Sequence, residues 1–255
     1  MSLATIYCAG TAYDDASGDV IAWLNANTEG TRGVDLFFYR GPGSDAMARG
    51  VDSIILGGAT LMQYADQATG YSIADTVARA LADLKALSTL PSQINMAGWS
   101  RGAITCLAIA HAMSADPKLS AIGLNLYLFD PVPGRFNRWN WKAEFTTATP
   151  NVTDLEVLLM ENVSSWITKF AVVDPFLNAT QSATNACGQV SLIPMPGVHS
   201  SAVEAGGHYV EASKIGAHLV SQFLIDHGSV VSREHRNPWC RVLPVRNGPR
   251  AAVRC

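Results

Sequence analysis

Long apolar runs, a signal peptide and a strong charge of either sign are all missing from this chain of 255 residues. No stretch approaches the roughly 20 apolar residues that a membrane-spanning helix needs. The N-terminal residues 1–8 lack a basic region and are too short for a cleaved signal peptide. We therefore expect synthesis in the cytoplasm, and export without a cleaved signal stays open.

Cysteine is scarce, and its spacing excludes several kinds of site. The five cysteines include no CxxC pair and no zinc-ligand pattern, so no metal and no cofactor is expected. Cys8 and Cys106 lie in apolar segments and are predicted to be buried thiols. Cys240 and Cys255 could form a disulfide if the protein is exported, which sequence alone leaves open.

Charge is also low, because only 15% of residues are charged and the net charge is -3. This balance argues against nucleic acid as a partner. With 48% hydrophobic residues, the chain can form one large domain, predicted over residues 1–231. The remaining segment, 232–255, is a basic tail with six arginines and one acid. The tail is either a solvated terminus or an ordered strap that docks on anionic lipid or a partner protein.

What the chain does contain is a regular alternation of strand-like and helix-like segments. The predicted strands cover 3–8, 34–39, 93–97, the end of 119–129, 155–160 and 189–193; the predicted helices cover 20–25, 73–87, 101–113 and 212–225. This alternation predicts an α/β fold with a mostly parallel sheet and helices on both faces. Ligands of such sheets bind at the carboxyl ends of the strands.

The motif Gly98-Trp99-Ser100-Arg101-Gly102 lies between a predicted strand and a predicted helix. A serine at the apex of such a tight turn is typical of a nucleophile elbow, which exposes the hydroxyl at a helix N-terminus. The two glycines fit a backbone too tight for a neighbouring Cβ. We therefore predict Ser100 as a nucleophile.

A nucleophilic serine needs a histidine base and an acid that orients that base. His199 is favoured over His208, because it follows a strand and the Pro196-Gly197 turn. The other four histidines are placed in helices or in the tail, namely His111, His218, His227 and His235. Asp130 ends the strand after that of Ser100 and is the candidate acid, although aspartate before Pro131 also occurs as a simple turn residue. The rival acids are Glu161 and Asp174.

An oxyanion formed in acyl transfer needs backbone N–H donors. The N–H of Arg101 is one candidate, and those of Gly10 and Thr11, after the first strand, are the others. The loop 41–43 is the alternative to Gly10 and Thr11. The side chain of Arg101 either binds an anionic substrate group or forms a salt bridge that holds the elbow.

Aromatic residues are concentrated in a polar segment, 135–151, which we interpret as a lid or insertion over the strand ends. Trp139 and Trp141 in this segment, together with Trp99 in the elbow, are predicted to contact substrate. Ordinary packing of these aromatic rings over the sheet is the alternative.

An ordered set of motifs resembles the type VI secretion phospholipase effectors and their α/β-hydrolase relatives. Ala97-Gly98-Trp99-Ser100-Arg101-Gly102-Ala103 is similar to the Gly-Phe-Ser-Arg-Gly-Ala elbow of that family. The other motifs follow in the family's order: Ala9-Gly10-Thr11, Tyr39-Arg40-Gly41-Pro42-Gly43-Ser44, Ala68-Thr69-Gly70-Tyr71-Ser72-Ile73, Leu128-Phe129-Asp130-Pro131-Val132 and Pro196-Gly197-Val198-His199-Ser200.

The resemblance, over residues 3–225, implies an α/β-hydrolase fold with Ser100 as nucleophile, Asp130 as acid and His199 as base. It also implies a lipase or phospholipase activity on a lipid or other ester substrate, a membrane surface, and an immunity or secretion partner protein. The chain departs from the pattern at Ala9, which replaces an aspartate, and in the longer loop 201–209. A small ester or thioester substrate, or a binding module without catalysis, are therefore the alternatives.

Overall fold

The structure is a computed structural model, and it describes residues 2–44, 55–56, 59–60, 72–132, 148–161, 189–204 and 210–232. Residues 135–147 of the predicted lid 135–151, and with them Trp139 and Trp141, lie outside these residues. So do His208, Asp174, Cys187 and the basic tail beyond Ser232.

Strands and helices alternate along the described chain as the sequence predicts. The strands are β1 (Leu3–Cys8), β2 (Leu36–Tyr39), β3 (Ile55–Leu56), β4 (Ala59–Thr60), β5 (Gln93–Trp99), β6 (Gly123–Phe129), β7 (Val152–Met160) and β8 (Gln189–Met195). The helices are α1 (Val20–Asn27), α2 (Ile73–Lys85), α3 (Arg101–Ser114) and α4 (Val210–Asp226), with a 3₁₀ turn at His199–Ala202. No helix in the described ranges has both the length and the hydropathy needed to cross a membrane.

In the described part of the chain, six strands form one parallel sheet in the order β2-β1-β5-β6-β7-β8. The chain adds β2 on one side of β1 and then crosses to place β5 on the other side. The loops after β1 and β5 therefore diverge, which creates the kind of crevice where parallel sheets bind ligands. Strands β3 and β4 form a separate antiparallel pair.

Helices cover both faces of the sheet, as predicted. Side chains alternate along each strand, so each strand has apolar side chains on both faces for the helices to bury. Ile6 and Met96 point to one face, where they pack in a buried core with α2 and α3. Tyr7 and Tyr127 point to the other face, where they pack with α1 and α4. Both faces of the parallel strands are thus buried, which explains their nearly continuous apolar sequences.

The start of the second strand differs from the prediction, whereas the two core cysteines agree with it. The second strand begins at Leu36 rather than at residue 34, because the Asp35 carboxylate accepts the Thr31 N–H at 2.5 Å and closes a turn. Val34 lies in that turn with 55% of its surface exposed. Cys8 and Cys106 are buried free thiols, as predicted, and burial raises the pKa of the Cys106 thiol.

Candidate active site

Ser100 lies at the apex of the turn between β5 and α3, in a conformation that few residues adopt. Its φ is 56° and its ψ is -119°, which costs on the order of 1–3 kcal/mol for a residue other than glycine. Three hydrogen bonds stabilise the turn: the Ser100 N–H donates to Phe129 O at 2.9 Å, and Ser100 O accepts the N–H groups of Ile104 at 3.3 Å and Val132 at 3.2 Å. The backbone, rather than the side chain, therefore holds the hydroxyl in place.

The glycines on either side of Ser100 are required by close packing. A Cβ on Gly98 would come within 2.6 Å of Gly102 O, a backbone atom that has no room to move. A Cβ on Gly102 would collide with Cys8 O at the end of β1. These approaches press the start of α3 against the exit of β1, next to Gly10 and Thr11.

Asp130 follows β6 and is held by the next strand. Its side chain is 3% exposed, and its φ of 39° lies in the left-handed region, which aspartate tolerates better than most residues. The Asp130 N–H donates to Leu158 O at 2.7 Å, and the Met160 N–H donates to Asp130 Oδ1 at 3.2 Å. Strand β7 thus fixes both the backbone and the carboxylate of this residue.

His199 begins the 3₁₀ turn that follows β8, and its imidazole lies between Ser100 and Asp130. Its Nδ1 is 2.6 Å from Asp130 Oδ2, and its Nε2 is 2.8 Å from Ser100 Oγ. Because a carboxylate can only accept, Nδ1 carries the proton and Nε2 is left to accept the Ser100 hydroxyl. The structure therefore brings the three predicted residues together in one row of hydrogen bonds, with the imidazole side chain 25% exposed.

The candidate oxyanion donors lie where α3 meets the β1 exit. Arg101 is the first residue of α3, where backbone N–H groups attract negative charge. Within the described residues, the N–H groups of Gly10 and Thr11 have no hydrogen-bond acceptor, whereas the Gly41 N–H already donates to Tyr13 O at 3.0 Å. This difference favours Gly10 and Thr11 over the loop 41–43.

The Arg101 side chain holds the same corner of the molecule. Its Nη1 donates to Thr11 Oγ1 at 2.5 Å, which ties the elbow to the loop after β1. This contact is closer to the predicted structural role than to binding of an anionic substrate, although the partner is a hydroxyl rather than a carboxylate.

Trp99 is 4% exposed, and its described contacts are with the protein. Its indole stacks on His199, with ring centroids 5.3 Å apart, and meets the edge of Tyr13, with centroids 4.7 Å apart. Its predicted contact with substrate stays a prediction, as do those of Trp139 and Trp141.

Sequence reasoning missed two side chains near His199. Tyr13, in the loop after β1, donates its hydroxyl to the carboxylate of Glu204, at the end of the His199 turn. Burial, together with this carboxylate, raises the pKa of Tyr13. The two residues are 191 positions apart, so no local pattern could have connected them.

The remaining candidates that the structure describes form no hydrogen bond with Ser100. His227 pairs with Asp154 at 3.1 Å, Glu161 is exposed, and His111 and His218 lie within α3 and α4. Among the residues that the structure describes, no three His, Cys, Asp or Glu side chains converge as metal ligands would.

Comparisons with known proteins address the fold. No protein-family model matches the chain, and no curated protein matches it in sequence. Solved structures do match. An uncharacterized protein from Pseudomonas aeruginosa superposes with a TM-score of 0.53 at 13% identity, over 90% of this chain and 46% of that one. This chain thus spans less than half the length of that protein.

The lin2722 product of Listeria innocua superposes with a TM-score of 0.52 at 13% identity, over 88% of this chain and 94% of that one. A sarin-phosphonylated esterase 2 from Thermogutta terrifontis has a TM-score of 0.46 at 13% identity, over 89% of this chain and 84% of that one. That last similarity is too low to carry an argument. The parallel sheet, its helices on both faces and the serine turn after a central strand confirm the predicted α/β-hydrolase-like fold.

Proposed function

We propose that this protein is a serine hydrolase that cleaves carboxylic esters with Ser100, His199 and Asp130. One observation carries the proposal: His199 Nε2 is 2.8 Å from Ser100 Oγ while its Nδ1 is 2.6 Å from Asp130 Oδ2. Such a row provides a nucleophile, a base for its proton and an acid that fixes the base's tautomer.

In the proposed mechanism each residue has a defined step. Ser100 Oγ attacks the ester carbonyl carbon while His199 Nε2 takes its proton, and Asp130 stabilises the resulting imidazolium. The carbonyl oxygen becomes an oxyanion, for which the N–H groups of Arg101, Gly10 and Thr11 are the donors we propose. His199 then protonates the leaving alcohol. A water molecule, deprotonated by His199, hydrolyses the acyl-enzyme and restores Ser100.

We further propose that the substrate is a lipid, as in lipase and phospholipase effectors. This part rests on the ordered motifs that resemble those effectors and on the aromatic segment 135–151, whose aromatic residues lie outside the described residues. The same resemblance extends the proposal to export as an effector, with a membrane surface and a secretion or immunity protein as partners.

The test is an ester panel with a matched variant. The full chain is assayed with nitrophenyl esters of increasing acyl length and with vesicles of defined phospholipids. Ser100→Ala should lower hydrolysis by at least about 10⁴-fold and abolish labelling by a fluorophosphonate probe. The circular dichroism of this variant should match that of the wild type.

Undiminished hydrolysis by Ser100→Ala would overturn the catalytic assignment. A folded wild type that neither hydrolyses any ester nor reacts with the probe would favour a binding module. Preference for short soluble esters, without a rise in rate when the substrate forms an interface, would overturn the lipid part alone.

A further inference from the structure

A closed ring of contacts connects the base, His199, with Trp99, Tyr13 and Glu204. The indole of Trp99 stacks on the imidazole of His199 with an interplanar angle of 29°. Tyr13 meets that indole edge-on at 87° and donates its hydroxyl to Glu204. Glu204 follows the 3₁₀ turn that His199 begins, and its N–H donates to Ser200 O at 2.9 Å, so the ring returns to its starting point.

The residues of the ring belong to different elements of the fold. Trp99 is the last residue of β5 and precedes Ser100, so it moves with the elbow. Tyr13 belongs to the loop after β1, where its N–H donates to Gly10 O at 3.0 Å. The ring therefore ties the nucleophile's strand, the loop of the proposed oxyanion donors and the turn of the base to one another.

The turn that carries His199 is short and is held by contacts within it and from outside. Within it, the Ser201 N–H donates to Val198 O at 2.8 Å, and Ser200 O accepts the N–H groups of Val203 at 3.1 Å and Glu204 at 2.9 Å. From outside, the Val20 N–H at the start of α1 donates to Val203 O at 3.1 Å. Besides this backbone bond, the Tyr13 hydroxyl is a side-chain donor that reaches the end of the turn.

The two aromatic contacts also suit the chemistry. The face of an indole attracts a cation, so Trp99 stabilises the imidazolium that forms when His199 takes a proton. A ring edge on that indole, as Tyr13 provides, is a favoured aromatic arrangement and limits its rotation. These contacts thus keep the imidazole stacked on the indole during the proton transfer.

We propose that Tyr13 and Glu204 are positioning residues for His199, which act through Trp99 and through the turn that carries the base. This inference rests on the proposed hydrolase function. It assigns Trp99 to the support of the base, an alternative to its predicted contact with substrate.

The experiment uses the full chain and conservative variants. Tyr13→Phe removes the hydroxyl but keeps the ring, and Glu204→Gln removes the charge but keeps an acceptor. Tyr39→Phe is the matched control, since Tyr39 likewise donates to a carboxylate, Asp83, at 3.0 Å and lies outside the ring. Comparing Trp99→Leu with Trp99→Phe separates the effect of the aromatic ring from the effect of side-chain volume.

We expect Tyr13→Phe to lower kcat about tenfold with KM changed less than about twofold, because a loosened base reacts less often while substrate contacts persist. Glu204→Gln should have a smaller effect of the same kind. Trp99→Leu should lower kcat about a hundredfold, and Trp99→Phe should recover most of that loss. Tyr39→Phe should keep the wild-type kcat.

A second readout does not depend on activity. Stacking on the indole shifts the His199 ring protons upfield in the NMR spectrum, and a His199→Gln variant identifies these signals. Tyr13→Phe should move them toward the values of an unstacked imidazole, whereas Tyr39→Phe should leave them in place. A wild type without hydrolysis would refute the proposed function, while this readout would still test the ring.

Three results would overturn the inference. Tyr13→Phe could keep both the wild-type kcat and the His199 signals. The same loss of kcat could occur in Tyr39→Phe, which would make the effect one of general stability. Finally, Trp99→Leu could raise KM without lowering kcat, which would return Trp99 to the substrate pocket.

Discussion

The described part of the chain contains two histidine–aspartate pairs, and they differ in what faces the second ring nitrogen. In the pair of His199 and Asp130, the second nitrogen meets the hydroxyl of Ser100 at 2.8 Å. In the pair of His227 and Asp154, it meets the carbonyl of Phe223, also at 2.8 Å. A hydroxyl can give a proton to a base, whereas a carbonyl can only accept one.

The two pairs are otherwise similar to each other. The imidazole side chains are 25% and 22% exposed, and the carboxylate–imidazole distances are 2.6 Å and 3.1 Å. Both nitrogens of His227 face acceptors, and the contact of its Nδ1 with the Phe223 carbonyl closes the end of α4. The comparison shows that a histidine–aspartate pair is not by itself a sign of catalysis, and that the group on the second nitrogen decides.

Backbone conformation separates the pairs as well. Both Ser100 and Asp130 have positive φ angles, of 56° and 39°, at the carboxyl ends of adjacent strands. Asp154 lies within β7, opposite Gln189 of β8, and its φ is not positive. Of the two pairs, only the one that we propose to be catalytic therefore contains an aspartate with a strained backbone. Such strain is common at functional sites.

Converting each aspartate to asparagine tests the difference between the two pairs. Asp130→Asn should lower kcat by about 10⁴-fold, because the amide no longer enforces the tautomer that leaves Nε2 free. Asp154→Asn, the matched control, should keep the wild-type kcat. Steady-state hydrolysis of the best ester substrate measures both, and equal losses in the two variants would contradict the distinction.

Asp19 differs from Asp130 and Asp154, because it is a buried carboxylate without a histidine partner. Its Oδ1 accepts the N–H groups of Ile21 at 2.7 Å and Ala22 at 3.2 Å, and its Oδ2 has no partner in the described ranges. Burial, and to a lesser degree the charge of Glu204, raises its pKa to about 6.

Because the folded chain then holds this proton more tightly than the unfolded chain, the free energy of unfolding should fall as pH rises from about 4 to about 6. The loss should reach about 3 kcal/mol at most and stay constant at higher pH. Asp19→Asn keeps the cap oxygen and should remove this loss. Urea unfolding of both proteins between pH 4 and pH 7 measures the difference, and parallel pH profiles would contradict the shift.

The smallest effect is expected for the stability of the second pair. Asp154→Asn should lower the free energy of unfolding by about 1 kcal/mol or less, because the pair of His227 and Asp154 is partly exposed and is screened by water. Thermal or urea unfolding at neutral pH measures this change. A loss of several kcal/mol would show that Asp154 supports more than the end of α4.

Much of the fold could be predicted because the strands are apolar on both faces and the helices are periodic. Strands β1 and β5 and helix α3 begin at the predicted residues, since glycine, proline and polar residues mark the turns. The second strand was predicted two residues too early, because the turn closed by Asp35 depends on a side-chain hydrogen bond that hydropathy does not reveal.

The candidate site was predictable in part. The local pattern of the elbow predicts Ser100 as the nucleophile. Asp130 and His199 are predicted as acid and base because each follows a strand. Tyr13 and Glu204 could not be found in this way, because their contact joins two loops that only the sheet order brings together. Asp19 looks like an ordinary cap residue in the sequence, and its burial is decided by packing around α1.

The sequence by itself determined the order of strands and helices, the elbow and the short list of candidate acids and bases, because these depend on local patterns. Only the tertiary structure decided which histidine faces a hydroxyl and which faces a carbonyl. Pairing β5 with β6 and β7 with β8 aligns the exits that carry Ser100, Asp130 and His199. Contacts over 69 and 99 positions arise from this sheet order, and no local pattern encodes them.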